Sequence, residues 1–258
     1  MANPHGSFIW YELMTPDQDA AKAFYDQVMP FSIEPEPSGD MEYRMLVAPD
    51  GLVGGVLKIT DEMAAAGARP AWVGYIGVDD VDATVAELKT RGGGVILPPH
   101  DFPGVGRFAM VTDPHGALFY VMRPIPPAND PDATSTAFAP ERVGHVAWNE
   151  LSSADHKAAL GFYGALFGHE NNETMAMPMG DYAFIDHHGT RIGGAVTQPD
   201  VPSHWLFYWH VPSVSETVGK IGAAGGTVTI GPHEIPGGQH IVIAQDPQGA
   251  TFGVVGAL

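Results

Sequence analysis

The stretch WYELMTPDQDAAKAFY, residues 10–25, recurs without a gap as WNELSSADHKAALGFY at residues 148–163. Further matches follow in the same order along the chain. Residues 97–121 match 230–254, including a DPHG turn in one copy and a DPQG turn in the other. A unit of this length is too long for a solenoid repeat, so the sequence predicts two copies of one domain-sized unit.

A segment rich in Pro, Ser, Thr and Asp separates the two copies. IPPANDPDATSTAFAPE, residues 125–141, has few large apolar residues to bury and is typical of a linker. We therefore predict one domain over 1–124, this linker, and a second domain over 142–258. Between its Gly-Gly pair and the next Trp, the second copy is six residues shorter than the first, in the region of DEMAAAGAR.

Residue periodicity predicts the element order βαβββ twice in each copy, and hence an α+β fold. Thr15 and Ser153 are predicted N-caps, with Gln18 completing a capping box in the first copy. Later helices are predicted over 81–91 and 214–224, each followed by glycines. The predicted strands include 7–13, 43–48, 54–59, 71–78, 182–186, 193–197 and 205–211.

Composition excludes several classes of partner. The chain of 258 residues has a formal net charge of −18 and no basic run, which argues against binding to nucleic acid or an anionic membrane. It has no cysteine, which excludes disulfides and thiolate metal sites. MANPHGSFIWYELM does not have the pattern of a signal peptide, and no apolar run approaches the ~20 residues that span a bilayer. We expect a cytoplasmic monomer or homodimer.

The ordered set of motifs resembles the vicinal-oxygen-chelate superfamily, which includes glyoxalase I, extradiol dioxygenases and bleomycin-resistance proteins. The shared features are a strand, a cap and a helix ending in Phe-Tyr, then a V-x-x-V helix followed by glycines, then DP-x-G before a last strand. The W-x-E-L opening and the two complete copies are most similar to a two-domain, glyoxalase-like bacterial subgroup. The resemblance implies two domains, each with an eight-stranded, open, U-shaped sheet around a cavity.

The resemblance also implies where a divalent metal would bind in such cavities. Members that use a metal take ligands from the first strand, from the strand before the second helix, and from the last strand. Indole, alkyl and glycine are not metal ligands, and neutral tyrosine is a rare one. We therefore predict no catalytic metal and no other cofactor, because the matching positions hold Trp10, Val73 and Tyr120 in the first copy and Trp148, Leu206 and Gly253 in the second.

His145 offers an alternative, since GHVAWNEL resembles the ligand-bearing opening of many members. Three residues separate it from Trp148, so a regular strand would point the two side chains to opposite faces. The competing interpretation is a histidine near the strand start that bonds to backbone. His187 and His188 lie in a predicted hairpin turn, where we expect both to be exposed.

Glu12 and Glu150 each lie two residues after a tryptophan, and so share its face of the strand. A carboxylate on such an apolar strand must be paired or hydrogen-bonded. One hypothesis makes these residues general bases or polar anchors for a ligand. The other makes them structural, accepting backbone N–H groups from an adjacent loop.

These patterns favour binding of a small, partly apolar molecule in the cavities, without the usual metal. The predicted ligand-binding residues are Trp10, Tyr75, Tyr120, Trp148, Tyr208 and His210. The alternative is an enzyme of lyase, isomerase or oxygenase type, using Glu12 and Glu150 as acid–base groups or a relocated metal site. A third interpretation makes one copy a scaffold for the other.

Overall fold

A computed structural model describes residues 3–37, 42–178 and 180–258. The elements of the first copy, in chain order, are β1 (Phe8–Thr15), α1 (Gln18–Val28), β2 (Ser32–Ile33), β3 (Tyr43–Ala48), β4 (Gly51–Lys58), α2 (Asp61–Ala65), β5 (Ala71–Gly77), α3 (Val81–Thr90), β6 (Gly94–Phe102), β7 (Gly106–Thr112) and β8 (Leu118–Pro124). Those of the second are β9 (Val146–Ser153), α4 (His156–Phe167), β10 (Thr174–Met177), β11 (Gly180–His187), β12 (Thr190–Thr197), β13 (His204–Ser213), α5 (Val214–Ala223), β14 (Thr227–Glu234), β15 (His240–Gln245) and β16 (Thr251–Ala257).

Each copy forms one eight-stranded sheet. The strand orders are β2-β3-β4-β1-β5-β8-β7-β6 and β10-β11-β12-β9-β13-β16-β15-β14, which are equivalent. Both sheets are mixed: β1 pairs with β4 in parallel, whereas β3 pairs with β4 antiparallel. The predicted α+β fold built from βαβββ modules is confirmed. Among the described residues, no helix is long and apolar enough to cross a membrane.

The N-cap of the first helix in each copy lies two residues after the predicted cap. Asp17 caps α1, its carboxylate accepting hydrogen bonds from the backbone N–H groups of Asp19 and Ala20. Asp155 caps α4 in the same way. The predicted caps Thr15 and Ser153 instead end the preceding strands and are fully buried.

The length difference between the copies lies where the sequence indicates. The first copy places the short helix α2 between β4 and β5, capped by the Thr60 hydroxyl. In the second copy, residues 198–203 form only a turn between β12 and β13. The insertion therefore adds one surface turn of helix and leaves the strand order unchanged.

Contacts within the chain define two compact units, and each unit takes sequence from both copies. In the first copy the boundary between the units falls after Val73, within β5. In the second copy it falls after Trp205, within β13. Unit 1 comprises Met1–Ile9, Gly74–Ser135 and Asn149–Trp205, and unit 2 comprises Trp10–Val73, Thr136–Trp148 and Leu206–Leu258.

Unit 2 is organised around the buried hydroxyl of Tyr25 on α1. This hydroxyl donates to Oδ2 of Asp246 at 3.0 Å and accepts the indole N–H of Trp72, also at 3.0 Å. Asp246 belongs to the DPQG turn of the second copy, and its other oxygen accepts backbone N–H groups of that turn. Gln248 of the same turn bonds to the backbone of Asp17. The turn of one copy is thus bonded to the first helix of the other.

Unit 1 contains the reciprocal arrangement. The hydroxyl of Tyr163 on α4 donates to Oδ2 of Asp113 at 3.4 Å and accepts the indole N–H of Trp205 at 2.9 Å. Asp113 opens the DPHG turn of the first copy, and His115 of that turn bonds to the hydroxyl of Ser153 before α4. The tyrosine of each Phe-Tyr motif thus bonds to the aspartate of the DP-x-G turn in the other copy. This contact is a structural reason for the presence of both motifs in both copies.

Part of the predicted linker is anchored by hydrogen bonds and burial. The backbone N–H of Ser135 donates to the side chain of Asn3, and its hydroxyl donates to the carbonyl of Ile9. Ala137 is fully buried. The segment buries more than its composition indicates, and the division into domains 1–124 and 142–258 stays a prediction.

Three histidines hold the start of the chain within unit 1. The ring Nε2 of His169 bonds to the carbonyl of Gly6 at 2.8 Å, and that of His187 bonds to the carbonyl of His5 at 2.9 Å. Nε2 of His5 bonds to the carbonyl of Leu166. Because a carbonyl only accepts, Nε2 carries the proton in each ring. Burial lowers the pKa of His169 to about 4 and also lowers that of His187.

We expect Tyr25→Phe to lower the free energy of unfolding by about 2 kcal/mol, because it leaves two buried polar groups without their shared partner. Tyr163→Phe is the matched variant in the other unit, and its longer bond to Asp113 predicts a smaller loss. Urea denaturation at neutral pH measures both. Equal stability of all three proteins would show that these bonds do not stabilise the fold.

Acid should destabilise unit 1 through His169. The folded protein holds the neutral imidazole down to about pH 4, whereas an unfolded histidine binds a proton near 6.5. His169 therefore leaves the free energy of unfolding at its full value above pH 6.5. As the pH drops to 4, the free energy of unfolding falls by up to about 3 kcal/mol. Urea denaturation across this range should give a shallower pH slope for His169→Gln, whose amide still donates to Gly6. An unchanged slope would assign the effect to other groups.

Candidate functional site

The sheets carry two kinds of face, and alternation along the strands assigns each side chain to one of them. Tyr11 and Leu13 of β1 are fully buried, and Tyr11 packs edge-on against Phe207 of β13. Trp10 and Glu12 alternate with them and so lie on the opposite side. We call this opposite side of each sheet the far face.

On the far face of the first sheet, within unit 2, three side chains from β1 and β3 are linked by hydrogen bonds. The indole N–H of Trp10 donates to the hydroxyl of Tyr43 at 2.8 Å, and this hydroxyl bonds to the carboxylate of Glu12. Burial and the neighbouring Glu12 charge raise the pKa of Tyr43 well above its ordinary value. Tyr43 is therefore a neutral phenol that donates its proton toward Glu12, which is only 2% exposed.

Gly55 provides the space for this contact. It pairs with Glu12 across β1 and β4, and a Cβ at Gly55 would lie 2.3 Å from ring atoms and the hydroxyl of Tyr43. Side-chain atoms do not approach this closely. The tyrosine ring lies over the glycine backbone and reaches the carboxylate on the next strand.

Unit 1 repeats the arrangement with residues of the second copy. The hydroxyl of Tyr182 donates to Oε2 of Glu150 at 2.7 Å. Gly194 pairs with Glu150, and a Cβ there would lie 2.2 Å from the Tyr182 ring. Glu150 and Tyr182 are both half-buried, so this carboxylate is more accessible than Glu12.

Tyr75 and Tyr120 are directly paired on β5 and β8 of unit 1, and both are buried. Their rings stack with centroids 4.1 Å apart and planes 14° apart. Phe108 lies edge-on to both rings, and His100 lies edge-on to Phe108 at 4.2 Å. The first copy therefore has a continuous aromatic cluster here.

The second copy has no matching stack, because Gly253 occupies the position of Tyr120. Tyr208 pairs with Gly253, and a Cβ at Gly253 would lie 2.4 Å from the Tyr208 ring. Gly253 therefore leaves no open space beside it, because the Tyr208 ring covers it. Tyr208 belongs to an apolar cluster of unit 2 against which Trp148 packs. His210 continues this face, half-buried, and its Nδ1 lacks a hydrogen-bond partner among the described residues.

His145 is fully buried in unit 2, where both ring nitrogens have acceptor partners. Nδ1 lies 2.6 Å from the carbonyl of Thr136, and Nε2 lies 2.6 Å from Oδ1 of Asp50. Oδ2 of Asp50 also pairs with Arg142. These bonds lower the pKa of Asp50. The arrangement matches the backbone-bonded interpretation of His145, extended by a carboxylate that links the two copies.

His187 lies in the core of unit 1 and is only 6% exposed, so the expectation that both turn histidines are exposed was wrong for this residue. It is held by its bond to the His5 carbonyl. His188 is exposed, with a left-handed backbone at φ 47°. The turn itself is formed by His188 and the following glycine.

Comparison with known proteins identifies the family. The model of the Glyoxalase/Bleomycin resistance protein/Dioxygenase superfamily matches residues 7–121. CFP32 of Mycobacterium bovis, which carries the provisional name of a glyoxylase, is 33% identical over 95% of this chain and 93% of its own length. The chain belongs to the glyoxalase superfamily. The anthracycline biosynthesis protein DauV of Streptomyces is 30% identical over 97% of this chain and 93% of its own length.

The glyoxalase fold is also evident from solved structures. The Mn(II)-bound glyoxalase of Novosphingobium aromaticivorans superimposes with a TM-score of 0.65 at 18% identity, covering 98% of this chain and 83% of that protein. At this identity the likeness extends to the fold alone.

The residues at the glyoxalase metal positions do not fit a metal. The Trp10 indole N–H is a donor that is already bound to Tyr43, Val73 and Leu206 are alkyl, and the Tyr120 ring is stacked. Within residues 3–37, 42–178 and 180–258, no group of three or more His, Asp or Glu is arranged to hold a metal ion.

Sequence reasoning missed the tyrosines that bind the two glutamates. Tyr43 and Tyr182 each precede the second glycine of a Gly-Gly pair by the same spacing, ending at Gly55 and Gly194. This shared spacing is the signal that points to them. The spacing can be interpreted only with the strand register, which places the tyrosine ring, the glycine and the glutamate carboxylate side by side.

Alanine at Gly55 should displace the Tyr43 ring and break its bond to Glu12. We expect Gly55→Ala to lower the free energy of unfolding by about 2 kcal/mol, because overpacking costs this much in a tight contact. Gly194→Ala should behave alike. Gly161 on α4 is the control, because its added Cβ meets nothing within 4 Å and should stabilise the helix by about 1 kcal/mol. Urea denaturation gives all three values, and an undiminished stability of Gly55→Ala contradicts the packing described.

Proposed function

We propose that this glyoxalase-superfamily protein binds a small, partly apolar molecule on the far faces of its sheets, without a metal at the usual positions. The carrying observation is the repeated pair of a carboxylate and a tyrosine held over a glycine. A polar group that is positioned on an otherwise aromatic surface is typical of small-ligand sites, where it fixes the orientation of the ligand.

The neighbouring side chains support this proposal. Trp10 lies beside one glutamate, and Tyr75 with Tyr120 provides an aromatic surface in unit 1. His210 adds a ring nitrogen that has no partner among the described residues. Two relatives carry names that refer to small-molecule chemistry, a glyoxylase and an anthracycline biosynthesis protein.

A second candidate is an enzyme that uses Glu12 or Glu150 in acid–base catalysis, of lyase, isomerase or oxygenase type. The observation that favours it is the donation from a neutral tyrosine to each carboxylate. Such a pair positions a proton next to a base, as general acid–base chemistry requires. Glu150 suits this role better than Glu12 because its side chain is more exposed.

Removing metal should leave the stability of the protein unchanged. A ligand that binds the native state raises the melting temperature. We expect the melting temperature to stay within about 1 °C after EDTA treatment and after addition of Mn²⁺, Zn²⁺, Fe²⁺ or Ni²⁺, because the residues at the usual metal positions are not metal ligands. A chelator-sensitive melting temperature together with stoichiometric metal in elemental analysis would overturn the metal-free proposal.

Mass spectrometry of small molecules that copurify tests the binding itself. A recovered molecule that raises the melting temperature when added back supports binding. Conversion of that molecule by wild-type protein, lost in Glu150→Gln, favours the enzyme instead. Absence of any stabilising molecule, in both the extract and a chemically diverse library, argues against both candidates.

A further inference from the structure

The Glu150–Tyr182 pair differs from its counterpart in accessibility. Glu12 is buried to 2% exposure, so a ligand in solution has little access to it. Glu150 and Tyr182 are both half-buried. A carboxylate has about four lone-pair directions and can accept several donors, of which the Tyr182 hydroxyl is one. The second copy thus presents the same chemical device where a ligand has access to it.

Aromatic rings flank this carboxylate along the sheet. Phe184 pairs with Gly194 across β11 and β12, and Gly194 pairs with Glu150, so all three share one face. The Phe184 and Tyr182 rings lie 5.6 Å apart. This row of Glu150, Tyr182 and Phe184 places the carboxylate on one face of the sheet with the two rings.

The cation already present near this row is committed to other partners. Arg191 lies over the Phe184 ring, 4.1 Å from its centroid. Its guanidinium also pairs with Asp186 at 3.1 Å and with Glu173 at 2.8 Å. Arg191 demonstrates that the Phe184 face accommodates a cation, while its charge is balanced by its own two carboxylates.

We propose that the Glu150–Tyr182 pair anchors a ligand that carries a protonated amine next to an aromatic or apolar body. This inference rests on the proposed small-molecule binding and specifies its ligand class. An ammonium donates a charge-assisted hydrogen bond to Glu150, which is about twice as strong as a neutral one. The π-face of Tyr182 attracts the same cation.

The net charge of the whole chain also favours a cationic ligand. With a formal net charge of −18, the protein attracts cations from solution and repels anionic ligands. A carboxylate ligand would meet both this repulsion and the charge of Glu150. A neutral ligand would bind through the rings alone.

Three probes with one ring and different charges test this selectivity: phenethylamine, 2-phenylethanol and phenylacetate. Isothermal titration calorimetry at low salt measures their affinities for the wild-type chain. We expect phenethylamine to bind about 10-fold more tightly than 2-phenylethanol, the size of one charge-assisted hydrogen bond, and phenylacetate to bind most weakly.

Two variants with equal loss of charge locate the effect. Glu150→Gln should remove most of the preference for the amine while leaving 2-phenylethanol binding within about 2-fold, because glutamine still accepts from Tyr182. Asp181→Asn is the matched control, since Asp181 precedes Tyr182 on β11, points to the other face and is exposed. It should retain the preference. Far-ultraviolet circular dichroism confirms that both variants are folded.

The outcomes separate the two proposals. If 2-phenylethanol binds and the amine has no advantage, or if Glu150→Gln keeps the advantage, the cation site is refuted while small-molecule binding stands. If none of the three probes binds at millimolar concentration, the amine site is refuted, while small-molecule binding is decided by the copurification experiment. Loss of the preference in Asp181→Asn as well as in Glu150→Gln would assign it to general charge and overturn the anchoring role.

Discussion

A single carboxylate in each DP-x-G turn bonds in two directions, and the fold depends on it. One oxygen of Asp246 closes its own turn by accepting backbone N–H groups, and the other accepts the hydroxyl of Tyr25 from the opposite copy. Asp113 and Tyr163 repeat the arrangement. Burial raises the pKa of both aspartates, which shows how far these groups are removed from water. A buried polar group of this kind is costly unless its partners are in place, so turn and helix must form together.

Much of the fold follows from sequence because the repeat, the period of each strand and the glycines after the helices all indicate the same element order. The starts of the first helices do not follow from the sequence, since Thr15 and Asp17 are both residue types that cap helices. The sheet decides between them: Thr15 pairs with Lys58 of β4, which holds it extended until Asp17. The contacts between the copies cannot be predicted from the repeat. The repeat aligns equivalent positions of the two copies, whereas the structure joins the DP-x-G turn of one copy to the first helix of the other.

For the site, a period of two suffices to place Trp10 and Glu12 on one face. It does not identify their partner, because Tyr43 lies on a strand two positions away in the sheet and is brought in by the register at Gly55. The resemblance to glyoxalases directs attention to metal positions, and in this chain those positions hold residues that pack. His145 illustrates the same point, because its two ring nitrogens are taken up by Thr136 and Asp50.

The composition of each contact unit has a consequence for how the two copies diverge after duplication. A substitution in one DP-x-G turn alters the hydrogen bond to the first helix of the other copy. The hydrogen-bonded positions of the two copies therefore constrain one another. On the far face, equivalent positions of the two copies can hold different residues. Tyr120 and Gly253, stacked in one copy and covered in the other, show the freedom that this leaves. The architecture ties the scaffold of the two copies together while allowing the far-face side chains of each copy to differ.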